Sequence, residues 1–325
     1  MLFRSPFVVQ PSLGGLTPVG VDVSGTLYVG QSLGGRDVQI ATVDFENGRI
    51  LSLPETVAQQ FIGNNQDPAF SPDRNYVAYV SERGRNAPVL VIQSLENREV
   101  RDFRTDLTYF NQLAWSPDSR SIAVRGTDLK GRGGLFVIDA KNGATSMAVS
   151  SQESGPAARP IWSTDGTRLL FRRRGTITSR ELSSGAEHVV LPTGLTQPRL
   201  SPDGQLLAGI AGQGRSALLI VPVSGGAPRE LAHAASGRFY RSVDWSPDGK
   251  AVIVSSYTSY GEQAAGDTQL CWVPLDGRPT QAITLPVGGD FSIHPDGHRI
   301  AFTTGQVHTE VLAIENLAAL LHPKR

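Results

Sequence analysis

Arg36, Arg83, Arg85, Arg125, Lys130, Arg132, Arg172, Arg173, Arg174 and Arg215 fall in the first five of seven irregular stretches at 31–37, 81–86, 125–132, 172–174, 212–215, 255–267 and 303–308. The same stretches hold five acidic residues, Asp37, Glu82, Asp128, Glu262 and Asp267, a two-to-one basic excess. The whole chain carries 30 basic and 30 acidic side chains, so the excess is local. Arg presents a planar fork of donors that matches a carboxylate or phosphate, and such a cluster predicts recognition of a small anion or an acidic peptide.

Amides, aromatics and further charges lie in a second group of irregular segments, among them Asn65, Arg159, Tyr240, Arg241 and Asp290. Groups of this kind gathered at a concave mouth suit a small ligand or an extended peptide. The ligand-binding set read from the sequence is therefore Arg36, Arg83, Arg85, Lys130, Arg132, Arg159, Arg173, Arg215, Asn65, Tyr240, Arg241 and Asp290. His233, Asp290 and His308 would suit a divalent ion if the fold gathered them. Their spacing is not diagnostic, so neither a metal nor a cofactor is predicted.

The elements that position these residues announce themselves by a repeated turn. Ser71-Pro72-Asp73-Arg74, Ser116-Pro117-Asp118-Ser119, Ser163-Thr164-Asp165-Gly166, Ser201-Pro202-Asp203-Gly204, Ser246-Pro247-Asp248-Gly249 and His294-Pro295-Asp296-Gly297 each separate two short apolar stretches. The spacings between their Asp residues are 45, 47, 38, 45 and 48. Four strands of about five residues with short connections fill such a period, which is that of a propeller blade. Pro presets the backbone of a tight turn, Ser and Asp bond back to local amides, and Gly accepts a positive φ. The turn itself thus reports architecture rather than catalysis.

Asp22-Val23-Ser24-Gly25, followed by Thr26-Leu27-Tyr28-Val29, reads as a seventh, degenerate copy. Second turns such as Glu46-Asn47-Gly48, Lys141-Asn142-Gly143 and Asp276-Gly277 follow about twenty residues later, as hairpins require. The expectation is an all-β, seven-bladed propeller of four-stranded antiparallel blades, with six blades as the alternative. One domain spans 1–325, its units starting near 17, 66, 111, 158, 196, 241 and 288. A strand at 5–10 is expected to complete the last blade and remove its open edge, leaving 316–325 as a tail.

Ala69-Phe70-Ser71-Pro72-Asp73, Ala114-Trp115-Ser116-Pro117-Asp118 and Asp244-Trp245-Ser246-Pro247-Asp248, with the strands after them, resemble the TolB-like or Pro-Asp propeller repeat. The resemblance covers nearly the whole chain. It implies a propeller whose variable loops and strand-one inlets share the ligand face, opposite the Pro-Asp turns. Relatives with this repeat include the propellers of prolyl-oligopeptidase-type enzymes, but no Gly-x-Ser-x-Gly elbow stands here between a strand and a helix. Similar propellers also occur in bacterial signalling proteins, so the chain is read as a non-catalytic binding or scaffold module, of the kind found in larger signalling chains. The expected partner is a protein, a peptide or a small anion at the loop-face channel mouth. The alternative is a hydrolase or a metal-assisted lyase acting on an acidic substrate there, as the similarity to oligogalacturonate lyases implies.

Neutral net charge argues against nucleic acid as a partner. Cys271 is the only cysteine and sits in an apolar stretch, so no internal disulfide forms. No basic leader or long apolar run is read, which predicts a cytoplasmic protein without membrane insertion.

Overall fold

The computed structural model describes residues 16–24, 26–57, 64–83, 87–151, 159–192, 194–258, 268–287 and 289–314. The expected closing strand at 5–10, the tail at 316–325 and Arg85 lie outside them.

Strands β1 (Leu16–Val21) and β2 (Leu27–Asp44) form the first hairpin. Asp22 closes it by accepting the amides of Ser24 at 2.9 Å and Thr26 at 3.0 Å. The degenerate turn is therefore a real turn, but β2 does not lead into a blade of its own. Two short strands, β3 (Arg49–Ile50) and β4 (Glu55–Thr56), follow and pair back onto it.

Next comes a meander of β5 (Asn64–Phe70), β6 (Tyr76–Glu82), β7 (Val89–Ser94) and β8 (Val100–Arg104). Val77, Ala78, Tyr79 and Val80 in β6 and Val89, Leu90, Val91 and Ile92 in β7 are all buried, on both strand faces. A central strand packed above and below has no solvent side, which is why these stretches are apolar throughout and do not alternate. Strand β8 mixes half-buried and exposed positions, as an outer strand should. The same four-strand pattern recurs from β9 (Leu107–Trp115) to β12 (Thr145–Ser150) and from β13 (Ile161–Trp162) to β16 (Glu187–Pro192). Two more meanders run from β17 (Thr196–Leu200) to β20 (Arg229–His233) and from β21 (Phe239–Trp245) to β24 (Gln281–Thr284).

The last turn joins β25 (Phe291–Ile293) to β26 (Arg299–Ile314). Strand β26 pairs with β2 in one register from Thr42↔Arg299 to Leu27↔Ile314. The sixth four-stranded set is thus β25, β26, β2 and β3, drawn from both ends of the chain. Each of the six repeated turns serves one set, and among the described residues the pairing yields no seventh, so the expected count of seven is not confirmed; the two halves of the sixth set lie at opposite ends of the sequence. The stretches 31–37 and 303–308, expected to be loops, are instead the paired middle of β2 and β26. Beyond the set, the first half of β2 and the second half of β26 continue with β1 as a three-stranded arm.

The innermost strands touch in the order β5, β9, β13, β17, β21, β25 and back to β5. Trp115, Trp162 and Trp245 staple neighbouring sets, their indole N–H groups donating at 3.0 Å to the carbonyls of Ala69, Ala114 and Arg199 on the preceding inner strand. The core is made of layers between sets, such as Val80, Leu90, Phe110, Trp115, Ile122 and Phe136. The architecture is an all-β propeller of four-stranded antiparallel sheets.

Every turn is built alike. Ser71 Oγ accepts the Tyr76 amide at 2.9 Å and donates to Asp73, whose carboxylate accepts the Asn75 amide at 3.1 Å. The corresponding Ser hydroxyls at 116, 163, 201 and 246 repeat the arrangement. In the sixth copy His294 takes the Ser place and is buried edge-on against Phe70. Its Nδ1 lies 3.1 Å from the Asp296 amide nitrogen and 2.9 Å from Asp296 Oδ2, and its Nε2 lies 3.3 Å from the Arg74 carbonyl and 2.8 Å from Arg299 Nη2, so this imidazole is a part of the turn.

Candidate functional site

Four residues before the Ser or His of each turn stand Asp67, Gln112, Arg159, Gln197, Ser242 and Asp290. The ladder shifts register next to this position in β5, β9, β17 and β21, and Asp67, Gln112 and Gln197 have φ of 55°, 60° and 53°. A bulge adds a residue to one strand and re-aims the side chains beside it. Left-handed backbone at a residue with a Cβ costs on the order of 1 kcal/mol, and such strain tends to gather at functional sites.

The bulged register brings charges together at the centre of the ring. Arg159 precedes β13 and Asp290 precedes β25, three places apart in a circuit of six, and their Nη1 and Oδ2 atoms meet at 3.1 Å across the channel. The Ser242 hydroxyl donates to the other oxygen of Asp290. From the adjacent inner strand the Gln112 amide donates to Asp67 at 3.2 Å. Two residues further along lie Arg199 and Asp244, with Nε and Oδ1 4.0 Å apart. Both Asp244 oxygens accept backbone amides, from Trp245 at 3.0 Å and Ile293 at 3.3 Å.

Three carboxyls and two guanidiniums cannot all be charged there without a net negative charge, and the carboxyls divide accordingly. Burial pushes Asp67 up to about 7, repulsion from Asp290 adds to this, and Arg159 only partly offsets them. Burial also raises Asp290, but Arg159, the Ser242 hydroxyl, Arg199 and Arg241 outweigh it and hold this carboxyl well below the usual range. Asp244 is raised, chiefly by burial. Burial and the nearby Arg159 weaken proton binding by Arg199. Burial thus disfavours the ionised form of Asp67 and Asp244, while the guanidiniums and the Ser242 hydroxyl favour that of Asp290.

The loop-face mouth above it is polar. Asn64 and Gln66 donate to Glu82 at 2.6 and 3.1 Å, Asn65 to Asp37 at 3.0 Å, and Arg36 to Gln66 at 3.3 Å. Among the described residues, the buried oxygens Asn64 Oδ1, Asn111 Oδ1 and Gln112 Oε1 receive no hydrogen bond. On the opposite face a cavity of about 480 Å³ opens between the Pro-Asp turns and reaches Arg159, Arg199 and Asp244.

Several sequence-derived candidates gather here and others do not. Asp290 and Arg159 form the centre, while Asn65 and Arg36 belong to the mouth network. Arg215 donates to the Arg241 carbonyl at 2.8 Å, and Arg241 itself is exposed. Three of the expected anion ligands have partners of their own: Arg83 with Asp102 at 2.7 Å, Arg132 with Asp128 at 2.7 Å and Arg173 with Glu187 at 2.9 Å. Lys130 is exposed on its turn. Tyr240, expected at the mouth, is buried in the core with Ile210, Leu218 and Trp245, because the shift between Tyr240 and Val243 turns it inward. His233 lies on the outer strand β20, 3.1 Å from Glu230, so it cannot share a metal with channel-bound Asp290. His308 lies in β26 opposite Leu33. Arg199, Asp244, Ser242 and Gln112 were missed, although counting two and four residues back from each turn would have marked them.

No family model matches the chain. Among curated proteins it is 24% identical over 234 residues to the Tol-Pal system protein TolB of Francisella tularensis subsp. mediasiatica, covering 69% of this chain and 52% of that protein. A structure described as TolB from Agrobacterium tumefaciens superposes with a TM-score of 0.64 and 19% identity, covering 84% of this chain and 99% of the other. TolB from Acinetobacter baumannii gives 0.54 and 18%, covering 84% and 65%. The chain is a TolB-like β-propeller. It spans about half the length of the curated TolB proteins it matches. TolB homologues are periplasmic proteins of the Tol-Pal system, which overturns the cytoplasmic expectation drawn from the absence of a visible leader. Among the described residues no helix is long and apolar enough to cross a membrane.

Proposed function

We propose that this TolB-like propeller is a binding module that holds an extended segment of a partner protein at the loop-face mouth of its channel. The carrying observation is the set of three buried amide oxygens, Asn64 Oδ1, Asn111 Oδ1 and Gln112 Oε1, without a donor among the described residues. Buried acceptors are normally satisfied, and an incoming peptide offers a backbone N–H at each residue. The likeness to Tol-Pal system proteins supports a protein as the partner. The Arg159–Asp290 pair would floor this mouth with fixed charges, which favour register and selectivity over raw affinity.

To test this, a photoreactive residue is placed at Tyr109 beside the mouth or at His233 on the outer rim, and crosslinked proteins are identified in the native envelope. A partner captured from Tyr109 alone is then purified, and Asn111→Ala with Gln112→Ala should weaken its binding about tenfold, the effect of losing about 1.4 kcal/mol. Equal capture from both positions, or unchanged affinity, overturns the reading.

The enzyme alternative has one observation in its favour, the unequal carboxyl pair. Asp67 holds a proton near neutral pH while Asp290 is ionised, the division of labour that acid–base chemistry needs. Against it, both Asp290 oxygens are already engaged by Arg159 and Ser242.

A further inference from the structure

The cavity between the Pro-Asp turns is a second opening onto the channel, on the face away from the loop-face mouth. Its rim repeats one residue: Pro72, Pro117, Pro202, Pro247 and Pro295, with Thr164 in the sixth place. Below the rim the walls are Ala69, Ala114 and Ile161. The floor is charged, and its two guanidiniums are incompletely used. Among the described residues, Arg199 donates one hydrogen bond, from Nη1 to the Pro198 carbonyl at 3.3 Å. Its 4.0 Å approach to Asp244 is too long for a hydrogen bond, and both oxygens of that carboxylate are spent on backbone amides. Arg159 is 5% exposed, and its Nη1, although 3.1 Å from Asp290, lacks the angle of a hydrogen bond.

A half-buried guanidinium that makes one hydrogen bond among the described residues, at the bottom of an apolar funnel, is matched by a carboxylate, which accepts from two parallel donors. Proline rings and small apolar side chains on the way in suit the uncharged residues next to that carboxylate. We propose that the Pro-Asp face carries a separate binding site for the free carboxyl end of an extended, apolar peptide segment, anchored by Arg199 with Arg159 behind it. A phosphate is a poorer fit, because its second charge would face Asp244 and Asp290.

The test uses the full chain and N-acetylated tetrapeptides of Ala, Pro, Leu and Phe, each made as the free acid and as the C-terminal amide, with binding measured by calorimetry. Free acids should bind at least tenfold more tightly than their amides. Arg199→Gln should bring the two within twofold, and Thr164→Trp, which narrows the rim without touching the charges, should weaken acids and amides together. Should Arg199→Gln fail to fold, the Thr164→Trp result decides. Equal binding of acids and amides, no binding of any acid at millimolar concentration, or binding indifferent to Thr164→Trp overturns the site.

Discussion

The Pro-Asp turns and the channel lining lie four residues apart on the same six strand-turn units, and the repeat treats them in opposite ways. At the turn the residue is Ser five times and His once, each bonded to its own turn. Four residues earlier come Asp67, Gln112, Arg159, Gln197, Ser242 and Asp290, with no residue type occurring more than twice. A turn has a local task, so each copy is solved in nearly the same way. The lining has a collective task, since each side chain faces the others across the axis, and its charges must balance as a set.

The sharpest way to break this comparison is to remove one member of the set. Arg159→Leu leaves Asp290 buried without its cation and should destabilise the fold by about 3–5 kcal/mol. Arg159→Leu combined with Asp290→Leu should recover most of that loss, because packed apolar pairs often replace buried ion pairs without penalty. Urea unfolding of the single and double variants measures this. A double variant as unstable as the single one would mean that the lining holds the frame together, and the division between frame and site would fail.

A second, smaller effect is a pH dependence. Asp67 has a folded-state pKa raised to about 7 against an ordinary 3.8, so between those values the folded state binds more protons than the unfolded chain. Stability should therefore fall as pH rises from about 4 to about 7 and level off above it, by at most about 1.4 kcal/mol for each pH step of one in that window. Asp290 works in the other direction, its stabilising ionisation being lost as pH falls below about 4. Asp67→Asn keeps an acceptor for the Gln112 amide and removes the proton, so it should flatten the decline between about pH 4.5 and 7.5 in thermal melts. An unchanged slope would place the proton elsewhere in the cluster.

The turns were legible because a four-residue signal carries its own hydrogen-bonding logic, and Ser201-Pro202-Asp203-Gly204 needs no distant partner to be recognised. The lining was only half legible, for a reason that follows from the blade count. Arg159 and Asp290 were both singled out, but as separate residues of a loop-face site for a small ligand or an extended peptide. In a ring of seven no unit has another directly opposite it, whereas in six these two do, and only the pairing of β2 with β26 reveals which ring exists. Arg199 and Asp244 were passed over for another reason: each stands two residues before its turn inside a strand, and only the folded ring brings the two together. Tyr240 was misplaced because the neighbouring register shift has no sequence marker of its own.

The least effect tests the local side of the comparison, namely how far each turn is solved without its neighbour. Four turns place Gly at the position of positive φ, at 166, 204, 249 and 297, whereas Arg74 and Ser119 occupy it with φ of 71° and 59°. Left-handed backbone is disfavoured for a residue with a Cβ, so Arg74→Gly relieves strain and should stabilise by about 0.5–1 kcal/mol. Ser119→Gly relieves similar strain, but the Ser119 hydroxyl accepts the Asp73 amide of the neighbouring turn at 3.0 Å, and losing that bond costs about 1 kcal/mol. The two gains are not equivalent: Arg74→Gly should raise the unfolding midpoint, and Ser119→Gly should leave it within error. If both rise equally, the hydroxyl bridge contributes nothing and the turns are independent. If neither rises, the strain at Arg74 is already relieved within its own turn, and the identity of that residue is indifferent to the frame.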